Sequence, residues 1–275
     1  RNLRRKHGFG KILFKSSGRC GMLNLIRADV YKLLKSTSFR VCGVLFLLLA
    51  GSENFLYHLV EKMGGGTGTQ TTVLSRIQGT DTSYLILLAI VISLFIGSEY
   101  TYGTIKNLAS KHYERNEIFA SKWIVSVLLA TVYFAVSIVI VGITAAFYWK
   151  TGDLSGNVIS NTAGFLFTKY ILVLSITSLY VMAAFLIRKT QFVLPVAIIG
   201  LDVIGTIALY GDMGLTKLLG HTVQLSKYWP GNMLSLIIQS GAQHAELLPG
   251  ILTGLVFLTA AAAGGVIHFK RVDIK

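Results

Sequence analysis

The chain has 275 residues and a formal net charge of +14, yet 53% of it is hydrophobic and only 14% charged, giving a mean hydropathy of +0.62. Soluble domains carry roughly a quarter charged residues, so the composition excludes an ordinary soluble globular protein and predicts an all-α, polytopic membrane protein. Two cysteines, Cys20 and Cys42, are too few and too unpatterned for a disulfide framework or a metal site.

Residues 1–21 are basic, contain Gly and Ser, and show no clear period. They read as an N-terminal extension drawn to anionic membrane lipid, with organised pattern beginning at Met22. No apolar h-region with a small-residue cleavage site follows them, so a cleaved signal peptide is not expected. Residues 22–38 form the next unit. In LNLIRADVYKLLKS, residues 23–36, Leu23, Ile26, Val30, Leu33 and Leu34 recur at helical spacing, with Arg27, Asp29, Lys32 and Lys35 elsewhere. This predicts an amphipathic helix lying in the cytoplasmic interface, or else a cytoplasmic extension of the first span.

Residues 39–270 contain six segments that reach the roughly 20 apolar residues a spanning helix needs. They run from about Phe39 to Val60, Ser83 to Gly103, Ile118 to Trp149, Gly164 to Ile187, Phe192 to Tyr210 and Leu248 to His268. The 64–82 connection, GGGTGTQTTVLSRIQGTDT, reads as a flexible loop. Only Arg188, Lys189, Thr190 and Gln191 separate the fourth and fifth segments. The connection from Gly211 to Leu247 is longer, and its apolar residues predict short helices at the outer leaflet, re-entrant or lying on the surface, broken at Pro230 and Gly231. Residues 271–275 are a short tail.

Of the 26 Lys and Arg residues, 20 fall on the side that holds the N-terminus, the second-to-third loop, the fourth-to-fifth turn and the tail, against 6 on the other. The positive-inside rule then sets both termini in the cytoplasm of a cell-membrane protein. A nucleic-acid surface would gather these residues on one soluble face, so no nucleic-acid partner is expected. There is no G-x-x-x-x-G-K-[ST] loop and no H-E-x-x-H, and the six His are scattered. No cofactor, metal or catalytic residue is expected in this chain. Two carboxylates are expensive in or beside spans: Asp202, at mid-span, and Glu99, near the inner end of the second span. Each lines a polar pathway or makes a contact between helices. Gly250, Gly254, Ala260, Ala261, Gly264 and Gly265 put small residues along the last span, for packing inside the chain or for a dimer seam.

The stretch GSEYTYGTIKNLASKHYERNEIFASKW, residues 97–123, links the second and third spans. Thr104 is placed to cap a short helix with Ile105, Leu108, Ala109 and His112 on one side and Lys106, Lys111, Glu114 and Arg115 elsewhere. A bare connection needs only a few residues, so the extra amphipathic length offers a surface to a cytosolic partner or forms a solvated hairpin tip. This stretch resembles the region after the second span in bacterial ABC-type exporter permeases of the type-2 class. Those chains have a Glu-aromatic-x-x-Gly-Thr pattern, a basic segment, an Arg and a Ser-Lys, here Glu99, Tyr100, Gly103, Thr104, Lys106, Asn107, Ser110, Arg115, Ser121 and Lys122. MLNLIRADVYKLLKS is similar to their cytoplasmic elbow helix, and LSKYWPGNML to their outer re-entrant region.

The resemblance implies a subunit without its own ATPase site. It pairs with a second permease chain, identical or related, and with two cytosolic P-loop ATPases that bind ATP and Mg. The hairpin would be the coupling helix that docks on the ATPase, through Thr104, Ile105, Lys106, Asn107, Leu108, Ser110, Lys111, Tyr113 and Arg115. Relatives export peptides, drugs or ions, or protect against peptide antibiotics. Two other classes fit the composition: an ion-coupled secondary transporter with Asp202 as its carboxylate, for which no inverted repeat is evident, and a membrane scaffold or sensor subunit.

Overall fold

The computed structural model of the chain describes residues 18–65, 71–80, 82–105, 113–152, 155–187, 190–240 and 244–271, with side chains described at all of these except 18–21, 65, 190–191, 198, 201–202, 240 and 244–245. Among the described residues every regular element is helical.

The first helix, α1, runs Gly18–Lys35. It stops because Ser36 is extended (φ −68°, ψ 140°), and the Ser36 hydroxyl then accepts the Phe39 N–H at 3.1 Å, capping α2, Thr37–Val60. A π-helical turn, Glu61–Gly65, ends α2. The 64–82 connection is not simply a flexible loop: Thr72 and Ser75 form a reciprocal capping box that opens α3, Val73–Gln78. Next come α4, Tyr84–Thr101, α5, Arg115–Tyr148, and α6, Gly156–Ile187. Helix α6 starts eight residues before the expected Gly164. With 34 residues, α5 is about 51 Å long, well beyond the ~30 Å hydrocarbon core.

Among the described residues five helical stretches are long and apolar enough to cross a membrane: Thr37–Gly64, Tyr84–Thr101, Arg115–Tyr148, Gly156–Ile187 and Glu246–Arg271. The fifth expected span is not among them. Its residues divide between α7, Thr190–Pro195, a π-helical turn, Val196–Gly200, and α8, Leu201–Leu219. Pro195 cannot donate to the helix ladder, π turns mark helix irregularities, and α8 carries Asp202, Asp212 and Lys217, which lower its hydropathy. Gly220, at φ 71°, ends α8. After a short 3-10 turn at Ser226–Tyr228, Pro230 opens α9, Pro230–Ser240, where the missing N–H has no helical cost. Pro230 therefore starts a helix where a break was expected. The last helix, α10, is His244–Arg271.

Helix α6 is the axis of the bundle, packed against α4, α5, α9 and α10. Contacts fix the directions. The Phe46 ring of α2 stacks on Tyr133 of α5, and Tyr57 meets Trp149 further along, so α2 and α5 run the same way. The Thr131 and Tyr170 hydroxyls are 3.0 Å apart and the Trp123 indole donates to Ser178 at 2.9 Å, so α6 runs opposite to α5. Thr168 lies at Gly250 and Phe185 lies 5.0 Å from Phe269, so α10 runs parallel to α6. A Cβ at Gly254 would stand 2.6 Å from the Ile171 side chain and 3.3 Å from its backbone. Small residues there let α6 and α10 meet backbone to side chain, which makes Gly250 and Gly254 packing residues inside the chain.

Candidate functional site

Three elements meet at the end of the bundle where α4 stops and α5 starts. Helix α1 presents Leu25, Asp29 and Leu33, four residues apart and all buried. The expected apolar stripe turns to the protein in part: Leu33 is buried and Ile26 and Val30 pack against the core, while Leu23 and Leu34 are exposed and Asp29 lies inside. Helix α4 contributes Glu99 near its end. Helix α5 contributes Ser121 and Lys122, two turns in.

These side chains form one buried ionic cluster. Asp29 and Lys122 are 0% exposed and Glu99 5%. The Lys122 ammonium donates to Asp29 Oδ1 at 2.6 Å and lies 2.7 Å from Glu99 Oε1. It also sits 4.4 Å from the centre of the Phe95 ring, whose face attracts cations. The Ser121 hydroxyl donates to Asp29 Oδ2 at 2.6 Å. Lys32, half-exposed on α1, donates to Glu99 Oε1 at 3.2 Å. Among the described residues two cations, one buried and one half-exposed, face two buried anions, so the cluster as a whole is charge-balanced. Glu99 Oε2 has no hydrogen-bond partner among the described residues. A buried ion pair of this kind adds little net stability but sets register, because any other alignment would strand a charge.

Below the cluster an aromatic layer joins the same helix ends: Phe185 contacts Tyr100, Phe119 and Phe269. Helix α4 ends on Gly103 in the left-handed region (φ 67°), which few side chains tolerate, and the Thr104 hydroxyl donates to the Glu99 carbonyl at 3.2 Å.

Of the expected docking residues, Lys106, Asn107, Leu108, Ser110 and Lys111 lie outside the described residues. Ile105 is 1% exposed and belongs to the core. Tyr113 is partly buried against that core. Arg115 belongs to α5, not to a separate short helix, and its guanidinium donates to the Lys270 carbonyl at 2.9 Å, tying the start of α5 to the end of α10. Asp202 lies in α8, two residues past the π-helical turn, and its side chain is outside the described residues. Glu99 is in the cluster. Sequence reasoning placed Asp29 on the polar face and counted Lys122 as a loop charge. The usable signal was the Leu25–Asp29–Leu33 spacing together with a Lys set two turns into a span.

At the opposite end Arg76 of α3 is buried. Its Nε donates to Asn54 Oδ1 at 2.9 Å and its Nη2 to Glu53 Oε1 at 3.0 Å, while Asn54 Nδ2 donates to the Val141 carbonyl at 2.8 Å. Tyr57, Tyr148 and Trp149 gather at this level, as aromatic belts do at membrane interfaces.

A helical bundle with several membrane-length helices, buried ion pairs at one end and an aromatic belt at the other defines a multi-pass membrane protein. Within that class the sequence profile of the ABC-2 family transporter protein matches residues 25–208, two thirds of the chain, and the chain belongs to that family. The match begins within α1, at Leu25, and takes in every residue of the ionic cluster. Membrane chains of this family are transport subunits that associate with ABC ATPases. No curated protein matches the sequence.

Proposed function

We propose that this chain is the permease subunit of an ATP-driven exporter, and that the Asp29–Lys122–Glu99 cluster is the joint through which ATPase movement reaches the spans. The observation that carries this reading is the cluster itself: it locks α1 to the roots of the hairpin between α4 and α5. A push on that hairpin is then delivered to three elements at once rather than absorbed by a loop. In this reading the cluster end is cytoplasmic, residues 104–115 form the docking hairpin, and α1 is the elbow helix. Two ATPases dock, and a second permease chain completes the pathway. The cargo is a peptide, drug or other amphipathic molecule moved outward, with immunity to antimicrobial peptides as one outcome.

Within the hairpin, Ile105 and Arg115 hold the fold from inside, so the docking contact falls to the residues between them. Leu108→Asp with Lys111→Glu puts charge into an interface that should be partly apolar. An unpaired buried charge costs several kcal/mol, enough to cut association by orders of magnitude. The expected result is a chain that still inserts but no longer co-purifies with its co-expressed ATPase. Undiminished co-purification together with normal transport-coupled ATP hydrolysis would refute the docking role.

A further inference from the structure

The half of α2 remote from the ionic cluster forms one wall of a groove of about 420 Å³. Its floor is apolar: Phe46 and Ala50 are buried there, beside Tyr84. Leu49 and Leu56 stand half-exposed at its lip. Its far end is polar, where Glu53 and Arg76 pair at 3.0 Å and the guanidinium lies 4.0 Å over the Tyr57 ring.

The surroundings restrict the occupant. Beside the lip α2 exposes Leu45 and Leu48, and Val60 of the lining is half-exposed too, so in a bilayer the groove opens onto hydrocarbon. An apolar recess left without partner atoms forfeits dispersion contacts, and the molecules at hand are acyl chains. From Phe46 to Glu53 the helix rises about 10 Å, which separates a chain-binding floor from a head-binding rim. The rim carries one cation and one anion in contact. An anionic head would leave Glu53 opposed and a cationic head would leave Arg76 opposed, whereas a zwitterion balances both.

We propose that this groove is a binding site for one zwitterionic phospholipid, an acyl chain on the Phe46–Ala50 floor, the phosphate toward Arg76 and the amine toward Glu53. The site lies apart from the ionic cluster and stands whether or not the chain is an exporter.

The test uses the full chain in vesicles of phosphatidylethanolamine and phosphatidylglycerol, with a diazirine at the end of one phosphatidylethanolamine chain. After irradiation, adducts are mapped by peptide. Labelling on Phe46, Ala50 and Tyr84 should exceed that at Ile207 and Leu218, exposed apolar positions of α8, several-fold. Ala50→Phe, which fills the floor, should reduce groove labelling several-fold without moving the thermal midpoint, and Ala50→Leu serves if the larger residue does not fold. The same diazirine on phosphatidylglycerol should label the groove several-fold less. Equal labelling of groove and α8 (bulk lipid only), labelling unaffected by either variant, equal use of both head groups, or disulfide crosslinking of a Leu49→Cys chain to a second copy in a Cys20→Ala, Cys42→Ala background would each overturn the proposal.

Discussion

Lys122 is the residue on which most depends. It is the only cation in the buried part of the cluster among the described residues, and it pairs with both carboxylates. Lys122→Met keeps the length and removes the charge, leaving Asp29 and Glu99 facing one another. Breaking a buried pair this way costs about 3–5 kcal/mol, so the thermal midpoint of the purified chain should fall sharply. Adding Asp29→Asn should recover part of the loss, because one stranded charge goes with it. An additive double variant would mean that the two side chains do not act as a pair. Asp29 escaped the sequence reading for a physical reason: amphipathic patterns are traced through greasy residues, and a buried carboxylate on the greasy stripe counts as a break in it. A second carboxylate, Asp212 on α8, accepts the Ser226 backbone N–H at 2.7 Å and so ties the turn after α8 back to the helix.

At the scale of elements, the sequence was legible where one signal dominates. The long apolar runs became α2, α4, α5, α6 and α10, because burying a continuous apolar surface in lipid leaves helix as the open option. It was less legible where a short local signal competes. Thr72 and Ser75 cap a helix inside a Gly- and Thr-rich stretch, and Pro195 with a π turn divides a segment whose average hydropathy reads as continuous. The small residues of the last span were visible, but their partner was not, since spacing names a face and not what it meets. Helix α6 is that partner. Gly254→Leu should force Ile171 and the α6 backbone away, an overpacking cost of about 1–3 kcal/mol. A cysteine pair placed across α6 and α10 should then crosslink more slowly than in the parent chain, while dimerisation is unchanged. Loss of dimer with unchanged α6–α10 crosslinking would assign the glycine to a seam between chains.

For the whole molecule the open question is the number of crossings, and direction decides it. Helices α6 and α10 lie side by side and point the same way, with Phe185 and Phe269 together at one end and Thr168 and Gly250 toward the other. Two neighbouring helices that cross a bilayer in the same direction need a return between them. The only chain available for it is residues 188–243, and within it α7, the π-helical turn and α8 together supply 30 helical residues, Thr190–Leu219, about 45 Å if straight. The α9 helix is too short at 11 residues. The broken segment is thus expected to make the sixth crossing despite Pro195 and its charges, one face of the break being packed on the protein at Val193 and Ala197. This returns both termini to one side, in keeping with the basic residues gathered there. Single cysteines tested with an impermeant thiol reagent, in a Cys42→Ala, Cys20→Ala background, separate the two cases. Lys106→Cys and Lys275→Cys should react only after permeabilisation, and Thr69→Cys and His221→Cys in intact cells. Reaction of His221→Cys only after permeabilisation, with Lys275→Cys open from outside, would mean that α8 does not cross and that the chain has five spans with its ends on opposite sides.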